Sequence, residues 1–202
     1  MMDKPYSEAC VRNRGPLLEV LQVVFARCHH VLEVGSGTGQ HAVHFAAGLP
    51  HLVWQTSELP DLHAGINAWL ADARLPNLRP PLTLDVAAHW PDTAFDGVFT
   101  ANTLHIMSWS HVGHFFAGVA KLLRKDGVLA VYGPFNYGGR FTSQSNAQFD
   151  QWLKARDPAS GLRDCEALCT LATRAGLVLE DDLAMPAHNR TLVWRRLSVD
   201  AA

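Results

Sequence analysis

The chain is 202 residues long with a mass of 22.2 kDa, enough for one ordinary domain whose core needs neither metal nor disulfide. A hydrophobic fraction of 48% against 18% charged residues excludes a largely disordered polymer. The balance of 17 basic and 19 acidic residues argues against a nucleic-acid footprint, leaving only the local cluster Arg12, Arg14 and Arg27, which reads as a solvated face.

The opening Met1-Met2-Asp3-Lys4-Pro5-Tyr6-Ser7 lacks the apolar stretch of a signal peptide, and no run of about eighteen apolar residues follows. Neither export nor a membrane span is expected, and the expected setting is cytoplasmic. Next, Leu17, Leu18, Val20, Leu21, Val24 and Phe25 recur at helical spacing, with Pro16 where a first turn tolerates it, and predict a helix ahead of the sheet. Apolar runs at 31–34, 52–56, 82–84, 95–101 and 127–132 predict five parallel strands, with helix-period segments at 39–47, 61–73 and 110–124 between them. The stretch 133–145, rich in Gly, Ser and Asn, is read as a working loop that could fold over the cleft; its alternative is a mobile surface loop with one helix anchored by Phe149 and Trp152. Cys165 and Cys169 share a face if helical and read as packing, not as metal ligands; with Cys10 and Cys28 they form no CxxC pair and suit a reducing compartment. The last runs, 177–183 and 191–197, have too short a connection for a helix and should pair antiparallel. The expectation is one α/β domain over residues 1–202.

Val31-Leu32-Glu33-Val34-Gly35-Ser36-Gly37-Thr38-Gly39-Gln40-His41 reads as a strand running through a glycine turn into a helix, where backbone N–H groups can meet a ligand. The spacing G-x-G-x-G, with Gln40 where a dinucleotide fingerprint has its third glycine, disfavours a nicotinamide oxidoreductase. Glu33 ahead of the turn would repel a pyrophosphate but receive the cationic methionine end of S-adenosylmethionine. Glu58, twenty-three residues past Gly35, ends the second strand where a carboxylate can accept from both ribose hydroxyls; opening the next helix at Pro60-Asp61 is its structural alternative. Asp85 follows the third strand, with its carboxylate aimed at an adenine amino group and Val86 offering a backbone donor.

With these residues in order, and with Lys125-Asp126-Gly127-Val128-Leu129 leading into the fifth strand, the sequence resembles the class I S-adenosylmethionine-dependent methyltransferases over residues 15–197. More narrowly it resembles the DUF938 or UPF0585 group, also called methyltransferase-like 26. The shared pieces are Arg12-Asn13, Ala101-Asn102-Thr103-Leu104-His105-Ile106, Tyr132-Gly133-Pro134-Phe135, Ser145-Asn146, Arg163-Asp164 and Met185-Pro186-Ala187-His188-Asn189. The group usually carries Asn-Asn at the last site, which makes His188 a local departure. The resemblance implies a Rossmann-like, seven-stranded, mostly parallel sheet of order 3-2-1-4-5-7-6. It implies S-adenosylmethionine as cofactor, held by Arg12, Asn13, Glu33, Gly35, Gly37, Gly39, Glu58, Asp85, Val86 and Asn102.

Methyl transfer from a sulfonium needs an acceptor lone pair in line with the S–CH3 bond, and a base only if the acceptor is protonated. His105 is the candidate base, with an expected loss of rate below the ordinary imidazole pKa near 6.5. Tyr137, Arg140 and Asn146 are candidates for a lid over the substrate, and the pairs His41/His44 and His111/His114 lack a third metal ligand. The leading reading is a methyltransferase for a small-molecule acceptor; the alternative is a cofactor-binding partner subunit of the same fold without its own catalysis.

Overall fold

The structure, a computed structural model, describes residues 4–197. The reading of Met1, Met2 and Asp3, and the outer ends of the 1–202 domain, lie outside the described residues. The elements run α1 (Glu8–Val24), β1 (His30–Val34), α2 (Gln40–Gly48), β2 (Val53–Glu58), α3 (His63–Ala73), β3 (Leu78–Thr83), β4 (Phe95–Ala101), α4 (Trp109–Leu122) and β5 (Leu123–Gly133). They continue through β6 (Phe135–Asn136), α5 (Gln144–Arg156), β7 (Arg163–Asp164), α6 (Cys165–Arg174), β8 (Leu177–Met185) and β9 (Asn189–Arg196).

Seven strands form one sheet in the order β3-β2-β1-β4-β5-β9-β8, while β6 and β7 pair separately. Counted within the large sheet alone, this is the expected order 3-2-1-4-5-7-6. The first five strands are parallel, and β9 runs antiparallel to both β5 and β8. This is the mostly parallel α/β sheet with an antiparallel close that the resemblance implies. A one-turn 3-10 helix, Pro186–His188, fills the connection between β8 and β9.

Alternation along the strands divides the core between the two faces of the sheet. Leu32, Val98 and Leu129 pack with Phe115 and Phe116 of α4, Leu168 of α6 and Trp194. Val31, Phe99 and Tyr132 pack with Leu17 and Leu21 of α1, Phe45 of α2 and Trp54. Phe45 meets Phe99 edge to face at 5.4 Å, and burying each such side chain is worth about 1.5–3 kcal/mol. Cys165 is buried and Cys169 half-buried on α6, both packed against the first of these clusters.

Two elements differ from the sequence expectation. The first helix begins at Glu8, where the Ser7 side chain accepts from the Cys10 N–H, so Arg12 and Asn13 lie within α1 and Pro16 is its ninth residue. Its first two turns bury Asn13 against polar partners, so they lack the apolar period that marks the later turns. The third strand covers Leu78–Thr83 rather than 82–84, because Pro80 and Pro81 interrupt the strand pattern yet are tolerated on a sheet edge. No helix among the described residues is long and apolar enough to cross a membrane, and no group of three His, Cys, Asp or Glu among them could hold a metal.

Candidate cofactor and acceptor site

Between β2 and β4, strand β1 marks the point where the sheet order reverses, and its carboxyl end feeds the glycine turn. Gly35, Gly37 and Gly39 have φ of 74°, 55° and 87°, a left-handed backbone that side chains strain. A Cβ on Gly35 would lie 3.0 Å from Thr103, and one on Gly39 3.1 Å from the Ile66 Cα, so at both positions tight packing adds to the backbone strain. A Cβ on Gly37 would meet nothing within 4 Å, which leaves its backbone facing open space. The Gly35 and Ser36 N–H groups both donate to the Ser57 carbonyl, at 3.1 and 3.0 Å, and tie the turn to β2.

At the end of β2 the Glu58 carboxylate accepts from the Gly37 N–H and from the Leu59 N–H, both at 2.9 Å. It therefore stands beside the open position of the turn, ahead of the 3-10 turn Pro60–Leu62. Asp85 lies exposed past β3, its Oδ1 accepting from the Ala87 N–H at 2.9 Å, and Val86 is buried beside it.

Glu33 is placed differently from the expectation of an open receptor for a cation. It is 1% exposed, and its Oε2 accepts from the Ser36 hydroxyl at 2.8 Å and the Trp54 Nε1–H at 3.1 Å. Burial pushes its pKa up to about 7, with the two donors pulling the other way. In this arrangement Glu33 braces the turn from within. Asn13 likewise is committed inside the protein: its Oδ1 lies 2.6 Å from His41 Nε2, and its amide is bonded to the Tyr132 phenol. Arg12 points outward in an exposed pair with Glu8.

The far side of the crevice is built at the ends of β4 and β5. Asn102 holds a left-handed φ of 58°, its N–H donating to the Tyr132 carbonyl at 2.9 Å. His105 is 6% exposed, edge-on to Phe149 of α5 at 5.2 Å. Burial pushes its pKa down to about 4, and the Arg163 charge adds to the effect. Arg163 was singled out in the sequence only as half of a shared pair, but here it clamps the loop carrying His105. Its guanidinium donates to the Leu104 carbonyl at 3.0 Å, to the Met107 carbonyl, and to the Ala159 carbonyl at 3.0 Å. The His105 carbonyl in turn accepts from the Gly161 N–H at 2.9 Å.

The lid candidates are fastened to the same wall. Tyr137 and Arg140 close a turn through reciprocal backbone bonds, and the Tyr137 hydroxyl donates to Asp182 at 2.8 Å. The Gly138 and Gly139 N–H groups donate to Glu166 and Asp164, which pins the turn to the start of α6. Arg140 itself is exposed. Asn146 is buried and donates to Thr142 and to the His188 carbonyl, joining α5 to the β8–β9 turn. Beside these residues lies a cavity of about 460 Å³ lined by Tyr137, Thr142, Met185, His188, Asn189 and Arg190. The segments around residues 102–107, 133–140, 146, 163 and 185–189, separate in sequence, thus form one wall next to the glycine turn.

Several solved structures share this architecture. An O-methyltransferase family protein from Burkholderia thailandensis superposes with a TM-score of 0.83 at 19% identity, over 96% of this chain and 59% of its own. The S-adenosylmethionine-dependent methyltransferase SibL, in its apo form, gives 0.80 at 21% identity over 94% and 56%. An O-methyltransferase family 2 protein from Planctomyces limnophilus, in complex with apigenin, gives 0.74 at 15% identity over 83% and 51%. The chain therefore spans little more than half the length of these proteins, and the likeness at such identities is one of fold. The family model described as protein of unknown function (DUF938) matches residues 4–196, almost the whole chain. With the glycine turn, the Asn102–His105 loop and the 185–189 turn all inside that span, this chain belongs to the DUF938 family.

Proposed function

We propose that this chain transfers the methyl group of S-adenosylmethionine to a small-molecule acceptor. The observation that carries the reading is the open backbone at Gly37 with the Glu58 carboxylate already hydrogen-bonded to it, at the switch point of the sheet. A carboxylate so placed suits two ribose hydroxyls, and the exposed Asp85 with Val86 suits the base. Gly35 and Gly39 shape the turn, while Glu33 and Asn13 hold it and α1 in place. Arg12 would turn toward the cofactor only by leaving Glu8. When bound, the cofactor supplies a sulfonium whose methyl carbon is electrophilic.

The chain's own contribution is to orient the acceptor and exclude water. Asn102 and His105 face the reacting end, and Tyr137, Arg140 and Asn146 form the outer wall over the acceptor. Held by these residues, S-adenosylmethionine would supply its methyl carbon to an acceptor oxygen or nitrogen beside Asn102 and His105 and would leave as S-adenosylhomocysteine. The proton released from the acceptor passes to His105, which its low pKa keeps as the free base above about pH 5. The apigenin-bound relative supports a small organic acceptor. Calorimetry tests the first half of this reading: S-adenosylhomocysteine and S-adenosylmethionine should both bind and raise the melting temperature. Absence of binding for both at millimolar concentration would overturn it.

A further inference from the structure

Gly133, the last residue of β5, has neither of the usual reasons to be glycine. Its φ lies outside the left-handed region. The five residues before it on the strand, Val128 to Tyr132, all carry side chains. A Cβ built on it would meet His105 Nδ1 at 3.8 Å, Phe135 Cζ at 3.9 Å and Asn102 Oδ1 at 4.0 Å, all ordinary contact distances. Backbone and packing would both accept alanine. The missing methyl therefore leaves a gap between the two polar residues that end β4 and the ring of Phe135.

What faces this gap is unpaired. His105 is 94% buried by its 6% exposure, yet no hydrogen bond to its ring or to the Asn102 side chain is made by any described residue. Asn102 is half-buried and neither side chain is among the fully buried unpartnered polar atoms, so both meet the crevice and remain free to bond an acceptor. Nor does the gap contain a free charge: the nearest cation, Arg163, is spent on three carbonyl oxygens. A neutral imidazole offers a lone pair and the Asn102 amide offers its carbonyl, so both face a hydrogen-bond donor best. A carboxylate or ammonium would be desolvated there without a counter-charge.

We propose that Gly133 sets the size of an acceptor subsite, and that the gap beside it receives the uncharged O–H or N–H group that takes the methyl. This rests on the methyl-transfer reading above and adds the place and chemical class of the reacting group. On this basis Gly133→Ala fills the subsite without disturbing the fold.

The test uses the full-length protein with tritiated S-adenosylmethionine and a desalted small-molecule extract, following label into products, alongside calorimetry with S-adenosylhomocysteine. Gly133→Ala should melt no lower than wild type, because the new methyl fits and the unfolded chain loses freedom. It should bind S-adenosylhomocysteine within about twofold of wild type, and label acceptor at least about tenfold more slowly, since small misplacements of reacting groups are costly. Equal labelling by both proteins would reduce the gap to a packing void and overturn the inference while leaving methyl transfer standing. Loss of S-adenosylhomocysteine binding in the variant alone would assign the gap to the cofactor, and overturn it as well. Wild-type protein that neither binds the cofactor nor labels any product would remove the reading on which the inference rests.

Discussion

Replacing Glu58 separates its two possible duties. In the structure the carboxylate accepts from two backbone N–H groups, Gly37 and Leu59, each at 2.9 Å. Both donors lie where water can reach them once the carboxylate is gone, so Glu58→Ala should cost the fold only about 1 kcal/mol, or about 2–4 °C in melting temperature. The cost to cofactor binding should be larger. Two charge-assisted bonds to ribose hydroxyls, made in place of the one to Gly37, are worth about 1–3 kcal/mol, which is roughly a 5- to 150-fold rise in the dissociation constant of S-adenosylhomocysteine. Glu58→Gln keeps the shape and one acceptor oxygen and should fall between wild type and alanine. Titration calorimetry on the three proteins, with a thermal melt of each without ligand, reads both quantities. Unchanged affinity together with a lower melting temperature would show that Glu58 only braces the turn and would refute its assignment to ribose.

The buried ionisable groups give two further expectations. Glu33, with a pKa raised from 4.5 to about 7, holds its proton more tightly in the folded state, so the stability it confers is full below about pH 4.5 and lost as pH rises through 7. Glu33→Gln should therefore stabilise the protein relative to wild type more at pH 8 than at pH 5, by up to about 3 kcal/mol, and denaturant melts at the two values check this. His105 and His41 shift the other way, both from 6.5 to about 4, so their contribution is present above 6.5 and lost as pH falls toward 4. The sequence alone puts the loss of transfer rate near pH 6.5; the buried environment moves it to about 4, and a rate profile falling with a midpoint near 6.5 would contradict a proton-accepting His105 in this setting.

The glycine turn was legible because its chemistry is local: spacing, a preceding strand and a following helix are all contained in residues 31–41. The antiparallel close followed from the short 184–190 connection, whereas the strand order came from the resemblance to class I methyltransferases and not from the apolar runs. Less visible was α1, whose buried face begins with Asn13, a polar residue that His41 and Tyr132 satisfy from distant parts of the chain. Pro80 and Pro81 hid most of β3, since a sheet edge forgives what a strand pattern does not. The wall at the ends of β4 and β5 was harder still. Arg163 and His105 are brought together by three carbonyl contacts that no periodicity encodes, and the gap at Gly133 is defined by an absent side chain. Glu33 was placed correctly on its strand, but its side chain could be assigned to Ser36 and Trp54 only from the packed structure.

Transfer itself is tested most directly by incubating the wild-type protein with methyl-labelled S-adenosylmethionine and a small-molecule extract, and following label and S-adenosylhomocysteine together. The account predicts equal, enzyme-dependent formation of a labelled small molecule and of S-adenosylhomocysteine, both abolished by boiling the protein. Tight cofactor binding with no labelled product would contradict it, and would leave a cofactor-binding subunit of the same fold as the better description.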